Sequence, residues 1–352
     1  MFSLSNHNIT PLKNMIGQML IVGFKGSRPS ELSPILAHIR NDFIGGVILY
    51  DQDISGEFPA PHNIRSVNQV KILTDILQEA ASSPLFIALD QEGGQVNRLK
   101  EIYGFPPVHS WKKVGEINDL EYTRNFSRKI AQTLKSAGFN FNFAPVMDLE
   151  FSSKTYLSIK NRCLSAEFQA VTEHSREFIL GHREYHILTA CKHFPGQGSA
   201  RADTHSGFAD VSEDWTEVEI DPYKQLIEQN AVDSIMASHI FNRNLDEKYP
   251  ATLSKLILFN LLRKKLGYEG VIISDDPQMR AIMDYHDLKS ALKLMLLAGI
   301  DIFCFGNNLV FKPNLIEIVI QNILELVKSG EVPEKRIVES FKRIQKLKAL
   351  LN

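Results

Sequence analysis

The sequence predicts an α/β protein folded as a single-domain (β/α)8 TIM-like barrel over residues 1–352. Three observations carry that expectation. Short apolar runs alternate with helix-length amphipathic segments along the chain, the pattern of a parallel sheet with crossover helices. There are eight such runs, the strand number of a closed α/β barrel. Polar residues gather just beyond the ends of the runs, where a parallel barrel carries its chemistry.

The runs cover residues 19–24, 46–50, 85–90, 139–148, 188–194, 234–239, 271–275 and 301–305. Most are continuously apolar rather than alternating, as strands buried on both faces require. Between them, Val67, Val70, Leu73, Ile76, Leu77 and Ala81 share one helical face. Ser254 is suited to cap a helix that runs to Leu266 and stops at Gly267. Pro313 is suited to open another that Gly330 ends. From Pro333 onward the chain reads as a basic amphipathic helix packed on the barrel, with Ile337, Phe341, Ile344 and Leu347 inward. No repeat, low-complexity block or Pro/Ser-rich linker divides the chain, so one domain is expected.

Composition narrows the function. With 39 basic and 41 acidic side chains the net charge is −2, which gives no reason to expect nucleic acid. Cys163, Cys191 and Cys304 lie far apart with no C-x-x-C, the usage of a reducing compartment. The first residues lack the basic start and apolar core of a secretory signal. The most apolar later stretch, 292–305, contains Lys293 and Asp301 and is too short for a bilayer. A cytoplasmic protein without membrane contact is expected, as a monomer rather than an oligomer.

The run ends concentrate chemistry. The third ends in Asp90-Gln91-Glu92-Gly93-Gly94 followed by Arg98, and the fourth in Pro145-Val146-Met147-Asp148 with Arg162 in the loop beyond. The fifth ends in Lys192-His193-Phe194-Pro195-Gly196, the sixth in His239, and the seventh in Ser274-Asp275-Asp276. A polar strand end is often only the place where a sheet meets water. Five ends bearing Asp, Lys, His and Arg together point to a shared site. Asp275, after an apolar strand, suits a carboxylate nucleophile; Asp276, its neighbour on an extended strand, is expected to face the other way. The Gly-rich segment 196–207 suits a mobile loop, in which Asp203 can fix the ring of His205 for proton transfer. The same inventory could serve a metal, but H-x-H, H-E-x-x-H and C-x-x-C spacings are absent, and Lys192 beside His193 opposes a dication. Neither the P-loop lysine nor the dinucleotide glycine spacing is present, so no metal and no nucleotide cofactor is expected.

Four of these segments resemble family 3 glycoside hydrolases. Leu89 to Arg98 is similar to that family's D-x-E-G-G-R-V-x-R segment, and Lys192 to Gly198 to its K-H-F-P-G-H-G. Asp203-Thr204-His205 resembles the D-[ST]-H dyad of its β-N-acetylglucosaminidase branch, and Gly270 to Asp276 its nucleophile strand. The resemblance implies a (β/α)8-like barrel that hydrolyses terminal β-linked N-acetylhexosamine with retention, on cell-wall (muropeptide) fragments. It would make Asp275 the nucleophile and His205 the acid/base with Asp203 as its partner. Asp90, Arg98, Arg162, Lys192 and His193 would bind the sugar, and His239 would lie near it. No further C-terminal domain is expected.

Gln95 stands where the family usually has Arg and Gln197 where it has His, which bears on sugar selectivity and loop packing. A phosphorolytic or broader β-glycosidase activity is the rival reading, and an inactive sugar-binding barrel the rival outside catalysis.

Overall fold

The computed structural model describes residues 11–203 and 207–351. Eight strands make the central sheet: β1 Leu20–Gly23, β2 Gly46–Ile48, β3 Phe86–Leu89, β4 Phe141–Asn142, β5 Leu188–Phe194, β6 Ser234–Ala237, β7 Val271–Ser274 and β8 Phe303–Phe305. Each pairs in parallel with its neighbour, running from β7 back through β6, β5, β4, β3 and β2 to β1 and then β8. A parallel bridge between Ile273 and Ile302, with the Ser274 N–H donating to the Ile302 carbonyl at 2.8 Å, joins the last two strands and closes the barrel. The predicted (β/α)8 fold is the observed one.

The strands are buried on both faces because the interior is filled by side chains and helices cover the outside. Phe86, Phe141, Phe303, Phe305, Ile272 and Ile273 are all fully buried. Each predicted run contains its strand; the fifth coincides with it, and the others overshoot by one to several residues. The largest overshoot is at 139–148. There β4 is two residues long, because the Ala144 N–H turns back to the Asn142 carbonyl at 2.9 Å, and Pro145 beyond it has no N–H to give to a ladder. Pairing with β5 resumes beyond it, where the Met147 N–H donates to the Lys192 carbonyl at 2.6 Å.

The helices follow the sequence signals closely. Val67–Ala80 is capped by the Ser66 hydroxyl, which accepts from the Gln69 N–H; Val70, Leu73 and Leu77 are buried while Val67 turns outward. Ser254 accepts from the Ile257 N–H at 3.1 Å ahead of Leu256–Lys265, and Gly267 follows it at φ +71°. Leu315–Lys328 and Glu334–Lys348 complete the outer layer. In the second of these Ile337, Ile344 and Leu347 are buried as expected, and Phe341 is packed against the core. The amine of Lys348 also turns inward, donating to Gln18 Oε1 at 2.8 Å and lying 4.9 Å from the Phe86 ring centre. No described helix is long and apolar enough to cross a membrane.

Candidate active site

The C-terminal ends of the strands surround a cavity of about 260 Å³. It is lined by Asp90, Arg98, Arg162, Lys192, His193 and Asp275, so six of the nine predicted site residues share one space. Each arrives by a different route, and each route has a local cause.

Asp90 follows β3 directly. The chain then folds back as a ribbon of Gln91–Gly93 against Val96–Asn97, turned by Gly93 and Gly94 at φ +98° and +59°. Gln91 fixes the ribbon from inside: its side-chain oxygen accepts from the N–H groups of Arg98 and Leu99 at 3.0 and 3.1 Å. That aims Glu92 and Arg98 into the cavity. Gln95 sits exposed on the ribbon's turn and takes no part in the lining. Gln197 is buried, its N–H donating to Asp148 at 2.6 Å and its side-chain oxygen accepting from Ser238 at 2.8 Å. Both departures from the family pattern therefore lie outside the cavity.

The lining carries a continuous ion network. Lys192 Nζ lies 2.7 Å from Asp90 Oδ1 and 2.7 Å from Glu92 Oε1. Arg162 meets Glu92 with two parallel bonds of 2.8 Å. Arg98 approaches Asp90 at 3.5 Å and stacks over Tyr50, 5.4 Å from the ring centre. Burial alone would raise the carboxyl pKa values, but Lys192 and Arg98 hold Asp90 below its ordinary value, and Arg162 with Lys192 does the same for Glu92. The carboxylates return the effect, raising Lys192 and Arg162 against the burial that opposes their charge. The floor of the site is therefore fully ionised at neutral pH. His193 is oriented by Asp148, whose Oδ2 lies 2.7 Å from Nδ1; its Nε2 faces Arg162 at 3.5 Å. These contacts put the ring proton on Nδ1 and the lone pair on the cavity side.

Asp275 leaves the end of β7, its N–H donating to the Ala237 carbonyl at 3.1 Å and its Oδ1 accepting from the Asp276 N–H at 2.8 Å. Asp276 was expected to face away, yet it lines the same cavity. The strand ends at Ser274, so its alternation does not reach this pair; Asp276 Oδ1 instead accepts from the Gln278 N–H at 2.9 Å in a turn. His239 was expected near the sugar. It is fully buried and absent from the lining, with its ring 2.6 Å from the Thr252 hydroxyl and 3.0 Å from the Asp276 carbonyl. Through these contacts it braces the backbone of Asp276.

Asp203 borders the site through Tyr156, a lining residue whose hydroxyl bonds to its carboxylate. Burial and the Asp203 charge together push the Tyr156 hydroxyl up to about 12. His205 lies outside the described residues, so its pairing with Asp203 stays an expectation from sequence. Sequence reasoning passed over Glu92, Asp148, Tyr50 and Tyr156. Glu92 and Asp148 stand within the polar run ends and were legible there as carboxylates; the two tyrosines carried no signal. Among the described residues, no group of three or more His, Cys, Asp or Glu is arranged to hold a metal ion.

Comparison with known proteins agrees with this fold. Residues 11–347 match the family model described as the glycosyl hydrolase family 3 N-terminal domain. A beta-hexosaminidase of Nitrosomonas eutropha is 31% identical over 298 residues, covering 82% of this chain and 80% of that protein. One from Tolumonas auensis is 31% identical over 275 residues, or 77% and 78% of the two chains. Among solved structures, a glycoside hydrolase family 3 β-N-acetylglucosaminidase from Paenibacillus sp. superposes with a TM-score of 0.88 at 28% identity. That match covers 97% of this chain and 63% of the other, so this chain spans less than two thirds of that protein's length. The structure of a β-N-acetylhexosaminidase from Beutenbergia cavernae shares the fold at 22% identity, with a TM-score of 0.83 and coverage of 97% and 99%.

Proposed function

The chain belongs to glycoside hydrolase family 3, and from that premise we propose that it cleaves terminal β-linked N-acetylhexosamine with retention of configuration. The observation that carries the reading is the shared cavity, in which Asp275 stands among ionised groups suited to hold a sugar. About 260 Å³ suits a single pyranose ring, as an enzyme acting on a chain end requires. Relatives named as beta-hexosaminidases support the aminosugar.

In this reading Asp90 accepts hydrogen bonds from sugar hydroxyls, while Lys192, Arg98, Arg162 and His193 fix the ring. Asp275 attacks the anomeric carbon as His205 gives its proton to the departing oxygen, leaving a glycosyl ester on Asp275. Water, deprotonated by the same histidine, then releases the sugar and restores the carboxylate. Asp203 orients the histidine and stabilises its charged form. Cell-wall-derived fragments in the cytoplasm are the substrate we assign. The family branch that the D-T-H segment resembles supports the substrate, and three buried cysteines without disulfides support the compartment.

The test is turnover of an aryl β-N-acetylglucosaminide by the wild type and by Asp275→Asn, with and without phosphate. We expect free N-acetylglucosamine from the wild type in both buffers. The variant should lose at least about 10³-fold in kcat while still binding the sugar. Sugar 1-phosphate as the main product would reject hydrolysis, and an active variant would reject Asp275 as nucleophile.

A further inference from the structure

A second and larger cavity, about 550 Å³, opens where the loops after β8, β1 and β2 meet. Its walls are mainly apolar, formed by Phe24, Ile35, Phe311 and Ile316. Its charged groups are unequally satisfied. Lys25 is paired with Asp53 at 3.0 Å, and the Glu31 carboxylate accepts from the N–H groups of Ser27 and Arg28 at 2.8 and 3.1 Å. His38 is held by Asp42 at 2.7 Å. Arg65, by contrast, is fixed only by the carbonyls of His62 and Pro61 at 3.3 and 3.2 Å, and neither it nor Lys312 has an ion-pair partner among the described residues.

Two further features face the same space. The helix Leu315–Lys328 begins at the cavity wall; its N-cap residue Asn314 makes no side-chain cap bond and the Leu315 N–H donates to the Lys312 carbonyl at 3.2 Å, which leaves the N–H groups of Ile316 and Glu317 to a ligand. His62 also lines the cavity. It is only 6% exposed, yet its ring nitrogens have no hydrogen-bond partner among the described residues, and its one ring contact is a stack on Tyr50 at 6.5 Å. Neither nitrogen is sealed from solvent, so each can exchange a water for a ligand group.

This cavity backs onto the active site across a thin wall. Asn308 donates to the Gln52 carbonyl at 3.0 Å and accepts from the Ile54 N–H at 3.2 Å; all three line the active-site cavity. Their neighbours Asn307 and Asp53 line the second one. We propose that the second cavity is a binding site for a small organic carboxylate. Its apolar body packs on Phe24, Ile35 and Phe311, and its charge is met by Arg65, Lys312 and the helix start, with His62 as hydrogen-bond donor. Glu31 and Asp53 on the lining repel a dianion, which selects a singly charged carboxylate over a phosphate.

Benzoate is the probe, titrated by calorimetry into the full chain beside benzamide and inorganic phosphate. One benzoate should bind per chain, with benzamide and phosphate at least about tenfold weaker. Replacing the two exposed cations together, Arg65→Gln with Lys312→Met, should cost benzoate about tenfold while leaving the melting temperature unchanged. N-acetylglucosamine should not displace it. Absence of benzoate binding, equal affinity for benzamide or phosphate, unchanged binding in the double variant, or displacement by N-acetylglucosamine would each overturn the site. The readout is binding alone, so its failure is distinguishable from failure of the glycosidase reading.

Discussion

Lys192 shows how one residue organises the site. Its side chain is 3% exposed and its amine touches Asp90 and Glu92 at 2.7 Å each, so it neutralises two carboxylates that would otherwise repel across the floor. Lys192→Met keeps the apolar stem but leaves the pair with Arg162 and Arg98 alone. We expect a loss of about 3–5 kcal/mol in urea unfolding, because breaking a buried ion pair strands a charge. A stability unchanged from wild type would mean that the network carries no weight. At this scale most of the site was legible, because residue types at strand ends announce themselves. What sequence did not settle was direction. The facing of Asp276 was misjudged because it depends on where a strand stops, and strand ends are set by the neighbouring ladder. Glu92 went unassigned as a site residue because only the folded ribbon brings it under Arg162.

At the scale of elements, the turn that launches the Asp203 segment rests on Glu219 in the short helical turn Glu217–Ile220. The Gly198 N–H donates to Glu219 Oε2 at 2.8 Å and the Ser199 hydroxyl lies 2.7 Å from Oε1. Gly196 is required at φ +117°, since a Cβ there would fall 2.4 Å from the Glu219 Cβ. Burial pushes the Glu219 carboxyl up to about 8, against the lowering influence of Ser199 and aided by the charge of Asp148. A folded pKa above the unfolded value of 4.5 means that the folded state holds the extra proton. Its stabilising effect is complete below the unfolded pKa and is lost as pH rises through about 8. Glu219→Gln keeps one acceptor and one donor without a charge. Its unfolding free energy should fall less than the wild type's between pH 5 and 9, by on the order of a few kcal/mol. Parallel pH curves for the two proteins would refute the assignment. Turns of this kind were opaque in the sequence, which showed three glycines but not the carboxyl beneath them. Helices were clearer, because caps such as Ser66 and Ser254 are local signals.

Closure of the barrel is a property of the whole molecule, and one residue sits at the seam. Asp301, fully buried just before β8, accepts from the Ile272 N–H of β7 at 3.1 Å and from Arg263 at 2.6 Å. It also accepts from Ser340 at 2.7 Å, Arg336 at 3.1 Å and Arg343 at 3.2 Å, all on the helix Glu334–Lys348. One carboxylate thus ties the first and last strands of the chain's barrel order, β7 and β8, to the final helix. The eight runs and the amphipathic end were readable from sequence, but this tie was not, since its partners lie 29 to 42 residues away. Asp301→Ala leaves three arginines facing one another around an apolar gap, so we expect it to lose about 3–5 kcal/mol in urea unfolding. Asp301→Asn retains a carbonyl for the Ile272 N–H and should lose less. Hydrogen exchange makes the structural side of the claim checkable. The amides of Ser274 and Ile302, which bridge the seam, should lose protection before those of β2 and β3. Uniform loss of protection around the barrel would show that Asp301 supports global stability and is not a local clasp on the joint.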